Sequence, residues 1–333
     1  MKVFFRYLIF TVLLILFSCR PSSQLDIDLS EVDYNPLTIK RYEKALFGID
    51  TDNIREGLEN IRYEFSFFMP EKIDTFDIIS IRNYITDPSL RQSYLDIDSL
   101  FADLSDIEDA LNNALKHMKY YFPEHSISAV YSYVSGFDFE HPVKFADSVL
   151  IIALDMYMGK NYYFYPMIGI PRYLSYSMRK EYIVRDCMEE IIRNIYPERI
   201  SGQTFLDKMI YEGKVLYFLD ATLPNKHDTI KIVFTNQQLE WCKRNEGNVW
   251  GFFIDQNFLH IHERNIINRF MNDGPFTPSF AKESPARTGA FIGWQIVRSF
   301  MDNNRDVTIK ELFELDDAQK ILNNSRYRPP RPR

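Results

Sequence analysis

The sequence predicts an α+β protein, mainly α-helical with one small β-sheet. Apolar residues recur at steps of three and four in segments on both sides of the centre, as amphipathic helices require. Two short central stretches are instead rich in β-branched and aromatic residues, the composition of strands. Hydrophobic residues make up 46% of the 333 positions and aromatics 15%, so a sizeable core can be buried and the body of the chain is not disordered.

The chain opens on a secretory pattern. Lys2 and Arg6 precede an apolar run from Tyr7 to Phe17, and Leu16-Phe17-Ser18-Cys19 ends it with a small residue before a cysteine. This is how a bacterial lipoprotein signal reads, so residues 1–18 are expected to be removed and Cys19 to carry lipid. The run is shorter than the about 20 residues a spanning helix needs, although an uncleaved anchor is the alternative. Residues 19–40 then read as lipidated Cys19 and a polar tether bearing Asp26, Asp28, Glu31 and Asp33. A single globular domain is expected over 41–325, followed by a Pro/Arg-rich tail over 326–333 with no core to join.

Within the domain, Ile54, Leu58, Ile61, Phe65 and Phe68 predict a helix from Asp52 to just before Pro70. Ser105-x-x-Glu108 suggests a capping box for a second helix, whose stripe runs Ile107, Leu111, Ala114, Met118, Tyr121 and stops at Pro123. Ser128–Ser135 and Ser148–Tyr157 are the two expected strands. Helical spacing returns with Val184, Cys187, Met188, Ile191 and Ile195 before Pro197, and again with Phe205, Met209, Gly213 and Leu216. Thr235-x-x-Gln238 and Thr308-x-x-Glu311 are further capping boxes. Gly274-Pro275-Phe276-Thr277-Pro278 marks a rigid loop, after which Gly289, Gly293 and Val297 give a helix a small face suited to close packing.

Composition excludes some functions. The net charge is −7, and no basic block precedes the last eight residues, so nucleic acid is not an expected partner. Cys187 and Cys242 could form a disulfide in an oxidising compartment, but Cys187 lies in an apolar helical pattern and two buried thiols are the preferred reading. No H-E-x-x-H, G-x-S-x-G or phosphate-binding glycine loop occurs, so no catalytic residue, metal or cofactor is assigned. His260-Ile261-His262 on a strand could place two imidazoles side by side for a metal, against the plainer reading of structural histidines. Tyr162-Tyr163-Phe164-Tyr165 could wall a groove for sugar or peptide, or cover the edge of a core. Trp241, Trp250 and Trp294 read as core.

The segments Tyr182–Ile191 and Phe205–Lys214 resemble a ruined core of predicted zinc peptidases of the gluzincin type. On that pattern Arg185 and Glu189 stand where two histidines would bind metal, Asp186 where the general base would be, and Glu212 where the last ligand would be. The resemblance therefore implies a degenerate zincin-like architecture without its ligands. A guanidinium in place of an imidazole repels a dication, and Arg185 and Glu189 can pair at i, i+4 instead. A charged helix face with an apolar back is the plain alternative. Asp186, Glu189 and Glu212 holding a harder cation is a third reading.

Dispersed runs in the C-terminal half resemble the gliding-motility lipoproteins of Bacteroidetes, the GldB family: Met158-Gly159-Lys160-Asn161-Tyr162, Gly213–Asp220, Asp273–Thr277, and Ser284–Gly289 leading into Ile292–Val297. That resemblance implies a non-catalytic, lipid-anchored envelope protein, a scaffold or accessory factor for gliding or related machinery. Its expected partners are the inner or outer membrane, through palmitate-type acylation at Cys19, and other envelope proteins. The rivals are a working hydrolase with a non-standard site at Glu212, His260 and His262, and a glycan- or peptide-binding lipoprotein using the tyrosine strip.

Overall fold

Four short strands make one mixed sheet: β1 (Ile39–Arg41), β2 (Ala129–Tyr133), β3 (Val143–Ala146) and β4 (Val149–Ala153), in the order β1-β2-β4-β3. They belong to a computed structural model that describes residues 24–198 and 203–330. β1 and β4 flank β2 in parallel, with Val130 opposite Ile39 and Leu150. β4 is buried along its whole length, which is why Val149-Leu150-Ile151-Ile152 reads as a continuous apolar run. β3 returns antiparallel through a tight turn in which Asp147 and Ser148 both have positive φ, 49° and 64°.

The sequence anticipates β2 and β4 but not the edge strands. β1 falls inside the expected tether, and that boundary is corrected: Tyr34 donates its hydroxyl to Asn112 at 2.6 Å, and the Asn112 amide bonds Leu37 in both directions. The chain is therefore held to the body well before residue 40, Gln24 donating to the Arg305 carbonyl and Leu25 packing against the core. The strand expected to reach Tyr157 ends at Ala153 and passes into a 3-10 turn, Leu154–Met156. Fully buried Asp155 forces this change by accepting from the Ser135 and Phe137 amides and the Ser135 hydroxyl.

Five helices lead from β1 to β2: α1 (Tyr42–Phe47), α2 (Ile54–Ile61), α3 (Thr75–Thr86), α4 (Pro88–Leu100) and α5 (Ser105–Tyr121). α2 is shorter than its apolar spacing suggests. The chain turns after Ile61 so that Phe65 and Phe68 meet the ring of Tyr42, Phe68 stacking at 4.1 Å, and Ser66–Phe68 forms a 3-10 turn. Nor does Ser105 cap α5. Its amide and hydroxyl bond Asp103, while Glu108 accepts the Ile39 amide at 2.7 Å and ties α5 to β1.

After β4 come two single-turn helices, α6 (Phe164–Met167) and α7 (Arg172–Ser175), then α8 (Ile183–Ile195) and α9 (Phe205–Thr222). α8 packs on β3 and α9 on α8. The remaining helices are α10 (Asp228–Ile232), α11 (Asn236–Asp255), α12 (Arg264–Met271), α13 (Thr288–Asn303), α14 (Ile309–Glu314) and α15 (Ala318–Ser325). The capping boxes at Thr235/Gln238 and Thr308/Glu311 form as expected. A third, Thr204/Asp207, starts α9.

α9 is buried almost all round, and α13 crosses it in backbone contact. A Cβ on Gly293 would sit 1.8 Å from the Met209 carbonyl oxygen, and one on Gly213 would sit 2.3 Å from that of Gly293. Beyond this crossing Asp220, 5% exposed, accepts from Lys231 Nζ, Trp294 Nε1 and both Nε and Nη2 of Arg298, all at 2.7–2.8 Å. Four charge-assisted or indole donors on one carboxylate satisfy a buried charge that would otherwise be costly. Trp294 is thus core with a polar duty. Cys187 and Cys242 are free and buried. The expected tail starts later than residue 326, because Tyr327 packs edge-on against Trp250 and donates to Glu246.

Candidate functional site

The apolar stripe of α8, Val184, Cys187, Met188 and Ile191, faces the core and fixes the helix's rotation. That rotation turns Arg185, Glu189 and Arg193, at successive steps of four, toward α9. α9 presents Lys208 and Glu212 on the facing side. The structure thus brings Arg185, Asp186, Glu189 and Glu212 together, joined by cations the motif comparison does not include.

Arg185 pairs with Glu189 and, at 2.9 Å, with Asp186, and its Nε donates to the Lys231 carbonyl at 3.0 Å. Arg193 donates to Glu189 at 2.6 Å and to Glu212 at 2.8 Å, bridging α8 and α9. Arg287, at the start of α13, reaches Glu212 at 3.3 Å, and Lys208 lies 3.9 Å from it. Tyr157 donates its hydroxyl to the other oxygen of Asp186 at 2.8 Å.

These charges tune one another. Burial by itself raises the Glu189 carboxyl, but Arg185, Arg193 and Arg287 outweigh it and bring it down to about 2. Glu212 behaves likewise: burial opposes ionisation, and Arg193 and Arg287 hold the carboxyl below its ordinary value. Asp186 goes the other way, since burial raises it more than Arg185 lowers it. The Cys187 thiol is pushed well up by burial and is no nucleophile.

The network forms one wall of a cleft of about 910 Å³, closed on its other sides by α7 and the turn after it, the start of α11 and the loops at 271–275 and 285–287. Two of its lining residues hold left-handed backbone without being glycine, Val233 at φ 61° and Arg287 at φ 56°. For a β-branched residue this is a genuine outlier, and such strain costs about 1–3 kcal/mol.

Over residues 22–329 the chain matches the family model described as gliding motility protein GldB. The chain belongs to the GldB family. No curated protein and no solved structure matches it. The match spans both the α8–α9 network and the Arg287 loop, so the whole cleft lies inside what defines the family.

In this GldB-family chain the donor set at the network does not fit a metal. Arg185 and Arg193 each stand between the carboxylates that would have to converge, and a guanidinium carries its charge at any physiological pH. Among the described residues no group of three or more His, Cys, Asp or Glu is arranged to hold a metal ion, which corrects the harder-cation reading of Asp186, Glu189 and Glu212. His260 and His262 do not reach the cleft. His260 ends a 3-10 turn rather than lying on a strand, and His262 Nδ1 faces the Gln203 carbonyl at 3.1 Å.

The tyrosine strip lies outside this cleft, with Tyr163 48% exposed. Tyr162 and Tyr163 both give their hydroxyls to Asp96, at 2.8 and 3.0 Å, and buried Tyr165 gives its own to the Asp155 carbonyl. Cys19 lies outside the described residues. Sequence reasoning missed Arg193, Lys208 and Arg287 as members of the site. The i, i+4 spacing of Glu189 and Arg193 was a usable signal, whereas Arg287 is 75 residues from Glu212 and gave no local one.

Proposed function

We propose that this chain is a lipid-anchored, non-catalytic envelope protein that serves as a scaffold or accessory factor for gliding-related machinery. The observation that carries the reading is the α8–α9 network. At the positions where a gluzincin-type peptidase would hold zinc and its base, Arg185, Asp186, Glu189 and Glu212 neutralise one another with the help of Arg193. Each of the three carboxylates is paired with at least one guanidinium, so the helix pair keeps its geometry through ion pairs rather than coordination. Family membership supplies the association with gliding, and the Cys19 pattern supplies the anchor. No helix among the described residues is long and apolar enough to cross a membrane.

Elemental mass spectrometry on the full chain, purified in detergent without chelator, tests the non-catalytic part. Near-zero zinc, manganese and calcium is the expected result. About one tightly held metal per chain would overturn it.

A further inference from the structure

We propose that the cleft is a docking site for an acidic, partly apolar segment of a partner protein. The first support is the order of charge with depth. Five cations line the cleft against three carboxylates, and two further carboxylates outside the lining, Asp186 and Glu198, pair with Arg185 and Lys208. Glu212 lies at the bottom with its side chain 7% exposed, while Arg193 and Lys208 above it are 28% and 23% exposed. Arg193 and Arg287 pair with Glu212, and Lys208, which also pairs with Glu198, lies 3.9 Å from it, so an entering chain meets the part-exposed faces of Arg193 and Lys208 above the deep carboxylate.

The rim adds to this. Arg172 lines the cleft, is exposed, and makes no ion pair among the described residues. The one exposed carboxylate of the lining, Asp273, lies 3.9 Å from Arg287 Nε and offsets only part of that cation's charge. Arg185 carries a further unspent donor, since its buried Nη2 has no hydrogen-bond partner.

The second support is the apolar lip. Tyr173 in the cleft wall is 40% exposed, and Met167 and Ile168, earlier in the same segment and outside the lining, are 73% and 43% exposed. Large apolar side chains left uncovered beside arginines are the composition of protein-recognition hot spots. A compact ion would need a tight cradle of backbone donors, whereas this opening of about 910 Å³ is walled by long side chains and suits an extended segment. Acidic side chains of the partner would pair with Arg172, Arg193, Lys208 and Arg287, and its apolar residues would cover the lip. The strained backbone at Val233 and Arg287 holds this shape in advance, which lowers the cost of binding.

The inference rests on the accessory reading only in taking the cleft as a recognition site, and metal content tests that reading separately. The test uses the full chain in non-ionic detergent, panned against a random library of 12-residue peptides. Enriched peptides should combine Asp or Glu with Phe, Leu or Met, and a fluorescent copy should bind less tightly as salt rises. Arg172→Glu, a rim change that should leave the melting temperature untouched, should weaken that peptide about tenfold, as should Lys208→Gln. Failure to enrich peptides, enrichment of neutral or basic ones, or equal binding by Arg172→Glu would overturn the proposal. Competition by inorganic phosphate or phosphatidylglycerol vesicles, with no peptide enriched, would reassign the cleft to phosphate.

Discussion

At the residue scale, Glu189 is where charge, burial and stability meet. Its carboxyl titrates near 2 in the folded protein against an ordinary 4.5, so the ionised form is favoured by folding. The linkage sign follows: this contribution is complete above about pH 4.5 and is lost as pH falls toward 2. Glu212 acts with the same sign, whereas Asp186, raised by burial, contributes stability that is lost as pH rises through its folded value. Urea unfolding followed from pH 6 to pH 2.5 should show a steep fall below pH 4.5, and Glu189→Gln should flatten it. A fall of equal steepness in that variant would place the acid response elsewhere. Arg185→Ala should destabilise the fold by about 3–5 kcal/mol, because it strips the shared cation from two buried carboxylates. A loss under 1 kcal/mol in the same urea assay would mean the pairs are solvent-screened.

At the scale of elements, the α9–α13 crossing is the joint on which the cleft depends, since α9 carries Lys208 and Glu212 and Arg287 immediately precedes α13. Gly293→Ala must separate two backbones that now touch, with a cost of about 3 kcal/mol or more and a shift of Arg287 away from Glu212. Thermal melting gives the first quantity. If the variant melts like the parent, the crossing is looser than the distances imply. Gly289, Gly293 and Val297 signalled a closely packed helix from spacing alone, but Met209 and Gly213 as the surface they meet could not be read from that spacing. The capping boxes show a similar division. Thr235/Gln238 and Thr308/Glu311 form because nothing else claims those side chains, while at Ser105 both members found tertiary or loop partners, Asp103 and the Ile39 amide. Local grammar holds where long-range bonds do not compete.

At the scale of the whole molecule, an arginine-lined cleft sits in an acidic body, and the proposed membrane tether runs through Cys19. Cys19→Ala should move the protein from the membrane pellet to the soluble fraction with its melting temperature unchanged; a variant that stays with the membrane would favour an uncleaved anchor. The sequence by itself determined the mixed, mainly helical class, the two inner strands, the paired helices α8 and α9 and the Arg185–Glu189 contact. All of these are encoded within a few turns, where periodicity and i, i+4 spacing act directly. Only the tertiary structure decided the edge strands, the end of α2 at Ile61, the four-donor cage around Asp220 and the arrival of Arg287 at Glu212. Each joins residues far apart in the chain, and their pairing is chosen by which buried charges and rings must be satisfied once the helices have packed.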